Sequence, residues 1–298
     1  MGKVLVAGAN GNFGAAAARA FAAVGWTVVR HARGTDMAAA ARGCDAIVNC
    51  LNPPMYHDWA RLIPQITAQV QAAARASGAT VIVPGNVYVF GPEPGSWGAD
   101  TPHRPCSRKG VIRAEMEASY RASGLPVILL RAGDFLDEAG AGTFLNMVTL
   151  KGLEKGKLQV AGAPDVPRAY AYLPDMARVA VALAQRRASL PRYADLAYGG
   201  LTFSMADLKS EIEAQTGRTL RYTSLPWGLM RLVSPFWELA RELREMRYLY
   251  DLPHRLDGRA LTALLRDHKD TGFADVVAAH LARRAVPALL AQGRVRAA

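Results

Sequence analysis

The stretch KVLVAGANGNFG, Lys3 to Gly14, decides the reading of the fold. Lys3–Ala7 is a short apolar, β-branched run that ends in glycine-rich sequence, as a buried parallel strand does. An alanine-rich helix is expected from about Phe13 to Val24. Between them Gly8, Gly11 and Gly14 stand three residues apart. A glycine at the strand end permits a tight turn, one at the helix start lets the backbone approach a pyrophosphate, and the third allows close helix–strand packing. The helix N-terminus would then turn free N–H groups and a positive dipole end toward an anion. Gly8, Asn10, Gly11, Asn12, Phe13 and Gly14 are therefore the expected pyrophosphate-binding residues of a dinucleotide site.

Outward from this turn, strands and helices alternate. Trp26–His31 reads as a second strand and Ala46–Asn52 as a third. A helix over His57–Ser77 carries Trp59, Leu62, Ile63, Ile66 and Val70 at helical spacing, and TVIVP from Thr80 is the next strand. A helix over Ser107–Ser123 and the strand PVILLRAG from Pro126 follow. This alternation predicts an α/β protein built on a doubly wound parallel Rossmann-type sheet, with a smaller C-terminal α/β lobe. The expected division is 1–165 for the dinucleotide-binding domain and 166–298 for the substrate-side lobe, partly interleaved with the first. From Gly140 onward come a helix with Phe144 and Leu145, a strand LQVAG, a helix after Pro174, a strand near Leu196–Tyr198 and a helix from Ser204, with Ser204 and Asp207 spaced as a capping box. The tail from Trp227 reads as helical. Within it LPWGLMRLVSPFW reads as a packing helix rather than an interfacial one, because Pro235 interrupts it and no polybasic face accompanies it.

Only ten residues separate Arg33 from Cys44. A parallel crossover needs about a dozen or more, so no strand is expected outside the second one. Thr35–Arg42 should form a single short helix, with Asp36 near the adenine.

The chain has 298 residues, a formal charge of +11 and three cysteines, Cys44, Cys50 and Cys106, without CxxC spacing. Neither a disulfide framework nor a metal site is expected. MGKVLVAGANG runs straight into a strand, leaving no room for a secretory signal, and no apolar run approaches membrane-spanning length. A cytoplasmic location is expected. The charge excess lies in the C-terminal half, where 23 Lys/Arg face 15 Asp/Glu, against 13 and 10 in residues 1–150. In ELARELREMR the arginines alternate with carboxylates, which reads as a solvated helix face, and no nucleic-acid module is present. A small-molecule substrate is expected as the partner, with no nucleic acid, the membrane surface only a minor alternative, and homodimerisation left open.

At the end of the second strand a carboxylate would select the ribose 2′-OH of NAD, whereas arginine accommodates a 2′-phosphate. VVRHARG supplies Arg30, His31 and Arg33 and no carboxylate, so NADP(H) is expected ahead of NAD(H). Leu51, Asn52 and Pro53, after the third strand, complete the expected cofactor-binding set.

The GxxGxxG frame resembles the short-chain dehydrogenase/reductase superfamily, in particular its extended and atypical, epimerase/dehydratase-like branches. PGNVYVFGPEPG is similar to the SSxxVYG segment of extended members, LLRAGDF to their LRxGxxYGP turn, and YAYLPDMARVAVAL to the segment bearing their characteristic aspartate, here Asp175. The likeness covers roughly residues 3–190. It implies a Ser/Thr, Tyr and Lys set, the last two as YxxxK on one helix face, in which Lys lowers the Tyr pKa. Here Lys109 stands at the Tyr position, Arg113 at the Lys position and Asn86 at the Ser position, with Tyr88 two residues on. The candidate catalytic residues are therefore Tyr88, Lys109, Arg113 and Asn86. Asn86 and Tyr88 alternate with Val87 and are expected to share one face at the C-terminal end of a strand, looking toward the nicotinamide. Tyr88 would be the proton donor, Lys109 its tuner or an alternative donor, and Arg113 a ribose anchor; otherwise Tyr88 only fills space. Asp134 is read as facing the nicotinamide or capping a turn, His57 as shaping the cofactor loop, and the loop of Trp97 and His103 as a cover. The implied function is an NADP(H)-dependent oxidoreductase or epimerase acting on a small hydroxyl or carbonyl compound. The alternative is a non-catalytic dinucleotide-binding sensor or scaffold.

Overall fold

The computed structural model describes residues 2–140 and 142–284. The first half alternates as β1 (Lys3–Ala7), α1 (Asn12–Ala23), β2 (Thr27–His31), α2 (Met37–Ala40), β3 (Ala46–Asn49), α3 (Trp59–Ser77), β4 (Thr80–Gly85), β5 (Gly95–Trp97), α4 (Arg108–Ala122) and β6 (Val127–Arg131). The second half runs β7 (Asp134–Leu136), β8 (Lys157–Val160), β9 (Arg168–Tyr172), α5 (Leu173–Gln185), β10 (Tyr193–Ala197), β11 (Leu201–Phe203), α6 (Met205–Thr216) and β12 (Arg221–Ser224). It closes with α7 (Trp227–Val233), α8 (Glu238–Glu245), β13 (His254–Leu256), α9 (Arg259–Leu264) and α10 (Phe273–Arg283).

Among the described residues the main sheet has the order β10-β6-β4-β3-β1-β2, with every pair parallel. Strands buried on both faces need a near-continuous apolar run, and β1, β3, β4 and β6 have one. One face packs Val4, Val6 and Val48 against Phe13 and Phe21 of α1 and Met176 and Ala180 of α5. The other packs Leu5, Ile47 and Val81 against Ile63 and Val70 of α3 and Ile112, Met116 and Tyr120 of α4. The strand order reverses between β1 and β3, and the crevice outside their carboxyl ends is where an open parallel sheet takes its ligand.

As expected from its length, the 33–44 connection holds one helical turn, and β2 is left as the sheet edge. Asp36 caps that turn by accepting from the Ala38 amide at 2.9 Å.

Several expectations are corrected by the structure. The strand around Leu196 spans Tyr193–Ala197 and pairs with β6, so it belongs to the main sheet rather than to the small lobe, as does α5. The Phe144–Leu145 region is a π-helical turn over Leu145–Thr149. The tail after Trp227 is not wholly helical, because β13 pairs in parallel with β5. The small lobe is held by β7, β9 and β11, by the β8–β12 pair, and by α6 and α10 around Phe203, Leu208 and Val276. Ser204 and Asp207 form the expected reciprocal capping box at α6. Asp175, fully buried in the first turn of α5, accepts from the backbone and, at 2.9 Å, the hydroxyl of Thr271, so it ties the α9–α10 connection to the main domain.

Candidate functional site

The β1–α1 turn explains its glycines one by one. Gly8 has φ +83°, and a Cβ there would lie 2.8 Å from the Cys50 carbonyl oxygen at the end of β3. At Gly14 a Cβ would overlap the Gly8 carbonyl, so this glycine permits the helix to sit on the strand. Gly11 is different: it is exposed and is the N-cap of α1, without a side-chain cap and without an acidic residue in the first turn. The first amides of a twelve-residue helix are thus open to an anion. Asn10 is exposed and Asn12 half-buried beside them, whereas the Phe13 ring is buried in the core and only its backbone faces the turn. These features fit a dinucleotide pyrophosphate.

Arg30 and Arg33 are exposed at and just beyond the end of β2, and among the described residues neither has an ion-pair partner. His31 is half-buried and its Nδ1 lies 3.4 Å from the Thr35 hydroxyl. Beyond β3, the Leu51 amide donates to the Asn49 side chain, the buried Pro53 carbonyl accepts from Trp59 Nε1 at 3.3 Å, and the exposed Asn52 accepts from Arg113 at 2.8 Å. Arg113 also lies over the Trp59 ring. Burial pulls its guanidinium pKa below the usual value, and an arginine side chain keeps its charge in proteins.

The catalytic candidates fall into a geometry the sequence reading did not foresee. β4 ends at Gly85, so Asn86 and Tyr88 do not alternate along a strand. Asn86 instead accepts from the Tyr88 amide at 3.0 Å and starts a 3-10 turn over Tyr88–Phe90. Tyr88 still sits just past the carboxyl end of β4, with its hydroxyl 3.4 Å from that of Tyr56. Burial pushes the Tyr88 phenol well above its ordinary pKa, and neighbouring Tyr56 and Asp134 push it the same way. Lys109 does not offset them. It is 1% exposed and its ammonium is bonded to Glu242 and, at 2.8 Å, to Glu245, both on α8. Arg108 joins Glu242 at 3.0 Å, and the Lys109 amide donates to Glu245. Lys109 is neither a free tuner nor a surface cation; it is the centre of a buried ionic clamp. ELARELREMR is corrected with it, since Glu242 is 2% exposed and faces inward.

The clamp reaches the loop between β3 and α3. Met55, Tyr56 and Asp58 have φ of +52°, +63° and +46°, a conformation that costs non-glycine residues on the order of 1 kcal/mol or more each. His57 of this loop bonds Glu238 of α8 at 2.9 Å, the Tyr56 ring lies 5.1 Å from the Lys109 ammonium, and Tyr56 packs on Trp59. So α8 holds the strained turn that brings Tyr56 to Tyr88.

Asp134 opens β7 and is paired with Arg168 at 2.8 Å; Arg168 in turn donates to the Tyr170 hydroxyl and lies over the Tyr250 ring. Tyr56, Tyr250 and Arg168 were not singled out from the sequence, because they come from three separate segments joined only by the fold. His103 is also drawn in: its Nε2 lies 3.5 Å from Glu117, and both stand with Asp195 in one cluster. That cluster already holds a cation. The fully buried Arg131 makes bonds of 2.8 Å to each of Glu117, Asp195 and the Asn86 carbonyl. Burial opposes the Arg131 charge, but the two carboxylates outweigh it and hold the guanidinium protonated.

No family model and no curated protein matches the sequence. Solved structures do. MoeE5, solved with UDP-glucose and NAD, aligns over 95% of this chain and 99% of its own at TM-score 0.73 and 19% identity. The chain shares its fold. UDP-glucuronic acid 4-epimerase from Bacillus cereus, solved with UDP-glucuronic acid and NAD, aligns over 94% and 98% at TM-score 0.76 and 17% identity. A putative epimerase from Burkholderia cenocepacia aligns over 95% and 98% at 0.75 and 16%. The likeness runs through both the sheet and the smaller lobe.

The His57–Glu238 pair gives a titration with a definite sign. Glu238 raises the His57 pKa by hydrogen bonding and charge, so the contact contributes fully below the unfolded value near 6.5 and is lost as pH rises through the raised folded value. A proton NMR titration of the His57 ring should show a midpoint above 6.5 that falls in Glu238→Gln. A midpoint at or below 6.5 in the unmodified protein would contradict the contact.

Proposed function

We propose that this chain is an atypical member of the short-chain dehydrogenase/reductase superfamily, an NADP(H)-dependent oxidoreductase or epimerase acting on a small hydroxyl or carbonyl compound in the cytoplasm. The observation that carries the proposal is the uncapped N-terminus of α1, opened by Gly8, Gly11 and Gly14 at the point where the strand order reverses. The NAD present in the MoeE5 and Bacillus cereus structures supports a nicotinamide dinucleotide, and their UDP-sugars support a small-molecule substrate.

The α1 amides would hold the pyrophosphate, Arg30 and Arg33 a 2′-phosphate, and Asn52 with Arg113 the nicotinamide-side ribose. When bound, the nicotinamide supplies or accepts a hydride. The chain's own part is the proton. Tyr88, which burial keeps protonated, can donate a hydrogen bond or proton to a substrate oxygen while accepting from the Tyr56 hydroxyl, which stands next to it as the following member of the path. Arg113 has no proton to give and acts by orientation. Lys109, neutralised by Glu242 and Glu245, positions α8 and takes no part in the proton path.

The 2′-phosphate reading predicts that NADPH binds more tightly than NADH. Calorimetric titration should show Arg30→Ala and Arg33→Ala each weakening NADPH by about 1.5–3 kcal/mol, the usual worth of a charge-assisted contact, with NADH little changed. Equal affinity of the unmodified protein for the two would end it. In a turnover assay with a carbonyl panel, Tyr88→Phe should lower the rate about a hundredfold or more and leave NADPH affinity nearly intact. Undiminished turnover would remove Tyr88 from the mechanism, and absence of turnover in the unmodified protein on every substrate would favour a sensor.

A further inference from the structure

α7 is apolar on two faces, and only one of them is used. Trp227, Met230 and Val233 recur at helical spacing and are half-buried; Trp227 donates its indole N–H to the Ala161 carbonyl at 2.7 Å. On the other side Leu229 is 58% exposed, Leu232 74% and, past the end of the helix, Phe236 94% and Trp237 49%. The packing-helix reading of LPWGLMRLVSPFW therefore accounts for half of the segment. Single exposed apolar residues need no explanation, but two leucines, a phenylalanine and a tryptophan within nine residues form a patch of the kind that marks an interaction site.

The charges around the patch say what kind of partner suits it. Between 226 and 250 four arginines are exposed, Arg231, Arg241, Arg244 and Arg247, against one carboxylate side chain more than a third exposed, Glu238. The carboxylates of the same stretch are paired within the chain: Glu238 to His57 at the surface, Glu242 to Lys109, Arg108 and Arg241, Glu245 to Lys109. Asp251, which follows, is taken by the Ala163 amide. Arg231 lies between Leu229 and Leu232 in sequence and has no ion-pair partner among the described residues. The ionic clamp that closes α8 on the main domain thus takes up much of the negative charge of this stretch, and Arg231, Arg244 and Arg247 have no ion-pair partner among the described residues. Apart from Arg231 these arginines lie outside LPWGLMRLVSPFW, so the segment's own sequence does not show them. Aromatic and leucine side chains set beside unneutralised arginines have the chemistry of a segment that lies in the interface of an anionic bilayer, its rings at the headgroup level and its guanidinium groups on the phosphates.

We propose that α7 and the Pro235–Trp237 turn form a peripheral docking surface for anionic lipid membranes. No helix among the described residues is long and apolar enough to cross a membrane, so the attachment is superficial and reversible. It leaves the β1–α1 turn and Tyr88 on other elements of the chain, and it stands whether or not the NADP(H) reading above does.

The test is co-sedimentation of the full chain with vesicles of phosphatidylcholine alone and of phosphatidylcholine with phosphatidylglycerol. Binding is expected only to the anionic vesicles and should weaken with added salt. Arg231→Glu should weaken it by about fivefold or more, and Leu232→Ser with Phe236→Ser should weaken it at least as much. Both side chains are exposed, so an unchanged thermal melt shows that the double variant is folded. Failure to sediment with anionic vesicles overturns the proposal, as does sedimentation that the double variant leaves unchanged. Light scattering that shows a dimer dispersed by the double variant, without vesicle binding, would assign the patch to a second copy instead.

Discussion

An ammonium group with no access to water has to be paired, and in this chain the Lys109 ammonium is paired with two carboxylates from a helix more than 130 residues away in sequence. Taking such charges out of water costs several kcal/mol per ion, so the geometry must return most of that. Here it does so through several bonds at once: both glutamates on Lys109, Arg108 on Glu242, and the Lys109 amide on Glu245. The net gain in stability from such a cluster is small. Its effect is on placement, because α8 has one position in which no charge is left unpaired. From that position it fixes His57, and with it the left-handed turn that carries Tyr56 to Tyr88.

The same cluster accounts for how the site differs from the YxxxK arrangement that the sequence resembles. With a lysine in the tyrosine's place, neutralised by glutamates, Lys109 is not free to lower a phenol pKa, and the pull of Arg113 on Tyr56 is smaller than the effect of burial. Tyr88 and Tyr56 accordingly sit in surroundings that raise theirs, with burial the largest cause for both. A phenol of this kind holds its proton and donates hydrogen bonds. That favours a role toward a substrate oxygen that gains negative charge over one as a tyrosinate base.

The parts of the fold that depend on local pattern were legible in the sequence. The glycine spacing, the apolar parallel strands, the short connection after β2 and the Ser204–Asp207 capping box each follow from residues close together in the chain. What escaped were features set by distant contacts. ELARELREMR has the alternation of a solvated helix, and nothing local marks Glu242 as the residue that meets Lys109. GNVYVFG has strand composition, but the Asn86 side chain captures the Tyr88 amide and turns the chain out of the sheet. The strand at Tyr193–Ala197 is legible as a strand, but its place in the main sheet rather than the small lobe is not, since strand order is not written in any one segment. At the site, Gly8, Gly11, Gly14 and Arg113 were readable, whereas Tyr56, Arg168 and Tyr250 are neighbours only after folding.

The central claim is that Lys109 and Glu242 act as one buried unit. A double-mutant cycle on denaturant unfolding tests it most directly, with Lys109→Met, Glu242→Leu and the combined variant. Each single change takes one partner from a buried charge, leaving Lys109 with Glu245 or Glu242 with Arg108 and Arg241, and should cost up to about 3–5 kcal/mol, whereas the double variant should cost less than their sum by about 2–3 kcal/mol. Losses that add to within about 0.5 kcal/mol would mean that the two side chains do not depend on one another, and would contradict the account.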